Sequence, residues 1–179
     1  MSLSPELQRI KGLLRPVQDF PIPGILFQDI FPIFQDPTAT KSLVDHLVEH
    51  IRSLGKVDVI VGLDSRGFLL GPWIASILGI AFAPVRKAGK LPPPVHSVSY
   101  SLEYGSDSFD ISELAIKQGQ NVVVLDDLIA TGGSAGAAGD LIKLCGGNTV
   151  QYVFLIELTG LKGTAKLNAP AYSVFQFDD

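Results

Sequence analysis

The sequence predicts an α/β protein: a mostly parallel central sheet flanked by helices. Three observations predict it. Short runs rich in β-branched residues, such as 57–61 and 122–125, alternate with longer stretches of helical periodicity. The run at 122–125 is apolar throughout rather than alternating, as strands buried on both faces are. Two junctions that lead from a strand into a helix, at 62–67 and 130–134, are rich in glycine, hydroxyl and charged residues. With 179 residues and 46% hydrophobic content, one globular domain spanning 1–179 has an adequate core.

Each element has its own justification, in chain order. Residues near 5–15 suit a short helix, with Leu7, Ile10, Leu13 and Leu14 on one side. The proline-rich stretch 19–30 is irregular and supplies a small cap for the ligand edge of the sheet. Asp36 as N-cap and Pro37 at the first helical position open a helix to about Leu54. Its apolar stripe is Leu43, Val44, Leu47, Val48, Ile51 and Leu54. A strand at 57–61, a helix ending near Leu78 and a strand at 80–85 follow. Gly89 and Pro92, Pro93 and Pro94 then break regular structure.

Residues 95–103 alternate, with His96, Val98, Tyr100 and Leu102 on one face and serines and Glu103 on the other. Gly105 turns the chain into a second short strand at 108–111, making a hairpin arm, and a helical turn comes next. The strand at 122–125 leads into a helix whose apolar side holds Ala138, Leu141, Ile142 and Cys145. A strong strand at 150–158 and a last one at 172–175 complete the sheet. Trp73 and the phenylalanines near the N-terminus are assigned to core and cap packing.

Composition narrows the function. Fourteen basic against 18 acidic residues give a net charge of −4, which disfavours non-specific binding to nucleic acid. A single cysteine cannot form an internal disulfide, so a reducing, cytoplasmic compartment is expected. No apolar run reaches membrane-spanning length and no signal-peptide pattern opens the chain, so no membrane partner is expected. His46-Leu47-Val48-Glu49-His50 fits a zinc-peptidase pattern, but His46 and Glu49 project away from the apolar stripe and no third ligand accompanies them.

The strongest chemical signal is Asp126-Asp127-Leu128-Ile129-Ala130-Thr131-Gly132-Gly133-Ser134. Paired carboxylates stand at the carboxyl end of a strand, where open α/β sheets bind ligands. Glycines let main-chain N–H groups approach an anion, and a helix N-terminus adds partial positive charge. The unit suits a sugar phosphate, with carboxylates for the sugar hydroxyls. It is neither a P-loop nor G-x-G-x-x-G. The junction Gly62-Leu63-Asp64-Ser65-Arg66-Gly67 offers amides and a guanidinium. Alone, it fits a capped turn as well as a phosphate loop. Arg86, Lys87 and Lys90 form a basic cluster in a loop, either a solvated surface or a lid over an anion.

The segments 20–27, 62–67, 86–91, 102–105 and 123–134 together resemble, in order, the type I phosphoribosyltransferases. Phe20-Pro21-Ile22-Pro23-Gly24-Ile25 and Leu102-Glu103-Tyr104-Gly105 point to the adenine-specific branch. The resemblance implies the type I phosphoribosyltransferase fold, with a small hood at about 15–35 and a flexible hairpin lid at about 86–110. It implies purine salvage: adenine and phosphoribosyl pyrophosphate (PRPP) give AMP and pyrophosphate, with Mg²⁺ as cofactor. Glu103 is then the catalytic residue, facing N7 of the purine. Asp126, Asp127, Ala130, Thr131, Gly132, Gly133 and Ser134 hold the ribose 5-phosphate. The two aspartates also serve the metal, directly or through water. Asp64, Ser65, Arg66, Arg86, Lys87, Lys90 and Tyr104 serve pyrophosphate, and a non-proline cis peptide is expected near Asp64–Ser65. Leu26, Phe27 and Gln28 bind adenine, although family members commonly carry a basic residue at position 28. A homodimer is implied. Two alternatives remain: a sister transferase for a 6-oxo purine or a pyrimidine, and a non-catalytic PRPP-sensing regulator.

Overall fold

The computed structural model describes residues 3–101 and 106–178. The chain divides into two compact units, Met1–His50 and Ile51–Asp179. In the first, α1 (Pro5–Lys11) is opened by Ser4, whose hydroxyl accepts from Leu7 N at 3.2 Å, and it buries Leu7 and Ile10. It stops at Gly12, earlier than the periodicity implied. The stretch expected to be irregular contains a hairpin: β1 (Arg15–Gln18) pairs antiparallel with β2 (Leu26–Asp29). Arg15 clamps Asp29 at 2.7 Å, and Phe20 meets Phe27 edge-on at 5.1 Å. After the short α2 (Phe31–Gln35), α3 (Pro37–Ser53) begins where Asp36 Oδ1 accepts from Thr38 N and Ala39 N. Leu43, Val44, Leu47, Val48 and Ile51 are buried, as its spacing implies. His46 is half-buried rather than solvated, and burial, then the nearby His50, lowers its pKa.

In the second unit, β3 (Val59–Leu63), α4 (Gly67–Leu78), β4 (Ala81–Lys87), β5 (Val95–Ser101), β6 (Ser106–Ser112), β7 (Asn121–Ile129), α5 (Gly133–Leu144), β8 (Asn148–Leu158) and β9 (Ala171–Phe177) build a seven-stranded sheet. The strand order is β5-β6-β4-β3-β7-β8-β9. The strands from β4 to β9 in that order pair in parallel. The β5–β6 hairpin joins β4 antiparallel through Arg86↔Asp110 and Lys87↔Phe109. Val59, Val61, Val122, Val124, Leu141, Ile142, Tyr152 and Phe154 belong to one buried cluster. Cys145 packs half-buried against it.

Two expectations are corrected here. The chain after β6 forms turns rather than a helical turn, because Glu113 N bonds back to Pro94 O and Ala115 N to Ser112 O. Trp73 is 43% exposed rather than in the core, one turn from Leu69 and Ile77 on an outer face of α4. Among the described residues, no helix is long and apolar enough to cross a membrane.

Candidate active site

The β7–α5 junction forms a cavity of about 220 Å³ lined by Asp126 and residues 128–135. β7 runs on to Ile129, so both aspartates lie inside the strand rather than beyond its end. Strand geometry then sends them to opposite faces. Asp126 is half-buried on the cavity wall, whereas Asp127 is buried and does not line it. Asp127 Oδ2 lies 3.0 Å from Arg66 Nη1, a charge contact without hydrogen-bond alignment. Asp127 N donates to Asp126 Oδ1 at 2.9 Å. Burial, then the Asp127 charge, pushes the Asp126 carboxyl well above the usual range. Burial also raises Asp127, against the pull of the Arg66 guanidinium.

Gly132 turns the chain into α5 at φ 80° and caps the helix without a side-chain bond. Gly136 N donates to Gly132 O, so the first helical amides before it have no partner inside the helix. These amides belong to Gly133, Ser134 and Ala135, all of which line the cavity. Together with Thr131, they form a concave donor surface for an anion.

The β3–α4 junction stands beside it, because β3 and β7 are parallel neighbours with Gly62 opposite Leu125. Asp64–Ser65 is a cis peptide, as the resemblance implied. A methyl on Gly67 would come within 2.6 Å of Leu125 O, so only glycine lets α4 start this close to β7. Asp64 Oδ2 accepts from Arg86 Nε at 3.1 Å, and Arg86 Nη1 donates to Lys90 O at 3.3 Å. Asp64 and Arg66 therefore face charged partners within the protein.

Arg86 and Lys87 end β4 rather than lying in a loop. Lys87 Nζ meets Asp107 Oδ2 at 3.1 Å, and Lys90 is exposed. The turn between them is held by the hairpin: Ala88 N donates to Ser108 O, and Gly89 N to Asp110 Oδ2 at 2.8 Å. Asp110 is 4% exposed and also accepts from Ser97 Oγ at 2.6 Å. Sequence reasoning missed Asp110. Its one signal is a carboxylate set between Phe109 and Ile111 in a short strand. Burial raises the Tyr100 phenol, against the opposing influence of the Ser134 hydroxyl. Glu103 and Tyr104 lie outside the described residues.

In the first unit, Leu26 is exposed, Phe27 half-buried and Gln28 buried on β2. Among the described residues no three His, Cys, Asp or Glu side chains group as metal ligands. The one carboxylate on the cavity wall, among those residues, is that of Asp126.

Fold and loops define the class: an open α/β sheet that presents main-chain donors to an anion at the ends of two adjacent parallel strands. The family described as phosphoribosyl transferase domain matches residues 34–179. The adenine phosphoribosyltransferase of Yarrowia lipolytica is 51% identical, covering 97% of each chain. Adenine phosphoribosyltransferase 1 of Saccharomyces cerevisiae is 48% identical, covering 97% of this chain and 95% of the other. A crystal structure of the S. cerevisiae enzyme, complexed with adenine and an imino-altritol bisphosphate, superposes with a TM-score of 0.93 at 47% identity. It covers 95% of this chain and 98% of that one. The chain belongs to the adenine phosphoribosyltransferase family of type I phosphoribosyltransferases.

Proposed function

We propose that this protein is a purine salvage enzyme that transfers the phosphoribosyl group of PRPP to adenine, releasing AMP and pyrophosphate. The observation that carries the proposal is the cavity at the β7–α5 junction, walled by Asp126 and by amides with no helical partner. The S. cerevisiae structure, holding adenine and a bisphosphate on the same fold, supports the choice of substrates.

In the reaction, adenine N9 forms a bond to ribose C1 as the C1–oxygen bond to pyrophosphate breaks, and N9 gives up its proton. The 5-phosphate falls to the amides and hydroxyls of residues 130–134. Asp126, on the cavity wall, orients the ribose hydroxyls. Asp127 acts behind it by holding Arg66. The leaving pyrophosphate is assigned to Asp64, Ser65, Arg66, Arg86, Lys87, Lys90 and Tyr104, whose cations neutralise developing charge. Glu103 is assigned the purine proton, and Leu26, Phe27 and Gln28 the base. The small hood at about 15–35 and the flexible hairpin lid at about 86–110 belong to this proposal, and closing the lid keeps competing water from C1.

Mg²⁺ fits at Asp126, which would offer from the cavity wall the hard oxygen ligand this ion takes, directly or through water; Asp127, expected as a second ligand, is turned to Arg66 instead. When bound, Mg²⁺ supplies charge neutralisation for the phosphates. A cytoplasmic location suits the lone, half-buried Cys145. We also assign a homodimer. Leu69, Trp73 and Ile77 recur every four residues on α4 with 40–43% of their surface exposed, an apolar stripe suited to a second copy.

The test incubates the protein with labelled adenine, PRPP and Mg²⁺, using hypoxanthine as the competing base. AMP formation with little turnover of hypoxanthine is the expected result. A preference for hypoxanthine would make this a sister transferase, and no turnover of any base a PRPP sensor.

A further inference from the structure

The turn after β8 sits main chain against main chain behind the phosphate loop. Gly163, in the turn Gly163–Lys166, is buried. A methyl there would stand 2.8 Å from Gly132 N, 2.9 Å from the Ala130 carbonyl carbon and harder still against its oxygen. The reverse holds too: a methyl on Gly132 would meet Gly163 Cα at 3.1 Å and collide with its carbonyl. Two glycines thus face each other with no side chain between them.

Their needs differ. Gly132 has φ 80°, so it requires glycine for conformation as well as space. Gly163 lies outside the left-handed region, where any residue can sit, so space alone excludes a side chain. The rest of the segment has little other reason to be here. Gly160, Leu161, Lys162, Ala165 and Lys166 are exposed, and Gly163 is the one buried residue from 159 to 166. The segment is anchored away from the loop, with Thr159 Oγ1 bonded to Phe177 O and Thr164 Oγ1 to Glu157 Oε1. The buried contact of this turn is therefore made with the phosphate loop, from a frame fixed to β8 and β9.

We infer that residues 159–166 buttress the phosphate loop, and that Gly163 is a positioning residue for the 5-phosphate of PRPP and AMP. This rests on the function proposed above. Close packing transmits small displacements, and weakening one hydrogen bond to a charged phosphate costs about tenfold or more in affinity. The added methyl of Gly163→Ala has only main chain to displace.

Two measurements test the inference. In the first, amide hydrogen exchange is followed in the wild-type protein with and without AMP. Slower exchange at 159–166 together with 130–136 is expected; protection confined to 130–136 would overturn the buttress. In the second, Gly163→Ala is expected to raise KM for PRPP and Kd for AMP about tenfold or more. Pyrophosphate affinity and kcat should stay within about threefold. Unchanged AMP affinity, or equal weakening of every ligand, would overturn the positioning role. If this variant fails to fold, the exchange experiment decides alone. A wild-type protein that binds no AMP overturns the proposed function itself, and this inference with it.

Discussion

Asp126 and Asp127 are adjacent in sequence but occupy different environments. One faces the cavity and the other faces Arg66. Asp126 is the costly one, because burial and its neighbour oppose its ionisation. Between the usual carboxylate range and the raised value, the folded ligand-free protein binds more protons than the unfolded chain. Its stability therefore falls as pH rises through that window. Asp126→Asn keeps an oxygen that can accept from Asp127 N and removes the charge. Thermal unfolding of the ligand-free variant should show a Tm raised by about 2 °C or more at neutral pH, converging with wild type at acid pH, while AMP formation drops. Equal Tm at neutral pH would refute the burial cost. The residue types of this pair were legible, since two carboxylates before Thr-Gly-Gly-Ser match a known chemistry. Their division of labour was not. It depends on β7 extending through Ile129, past the end of the apolar run.

At the scale of elements, the turn after β4 and the β5–β6 hairpin are tied together by Asp110, which accepts from Gly89 N and Ser97 Oγ. Asp110→Ala removes both bonds and should loosen the turn that carries Lys90. The expected results are faster limited proteolysis at 88–94 and a several-fold rise in KM for PRPP, with Tm lowered by less than about 5 °C. Unchanged proteolysis would show that β4 alone holds the turn. Long or strongly apolar elements were readable: α3, β3, α4, β7, α5 and β8 fall within a few residues of their expected places. The β1–β2 hairpin was not, because Pro16 interrupts one strand and neither strand alternates visibly over four residues. Asp110 was hidden for a different reason. Its partners lie 13 and 21 residues away, brought near by strand register rather than by any local motif.

For the whole molecule, the proposed homodimer is tested at the α4 stripe. A second copy covering Leu69, Trp73 and Ile77 would remove from water the 40–43% of each residue's surface that is still exposed, contributing about 1 kcal/mol apiece. Trp73→Glu should shift the protein from dimer to monomer in sedimentation, with its circular dichroism unchanged. A dimer that survives this substitution must use another face. Overall architecture was the most legible level of all, because alternating strands and helices with glycine-rich junctions admit few topologies. The exposure of Trp73 was not legible, since an aromatic within an apolar helix has the same pattern whether it meets a core or a partner.

The pairing of β3 with β7 also has a kinetic consequence. Asp58 and Asn121, which bond where the two strands begin, are 63 residues apart along the chain. Contacts between such distant segments form slowly, because the intervening chain must first be closed into a loop. During synthesis the β3–α4 junction emerges well before the β7–α5 junction. The two strand-to-helix junctions are thus brought side by side only once that loop has closed.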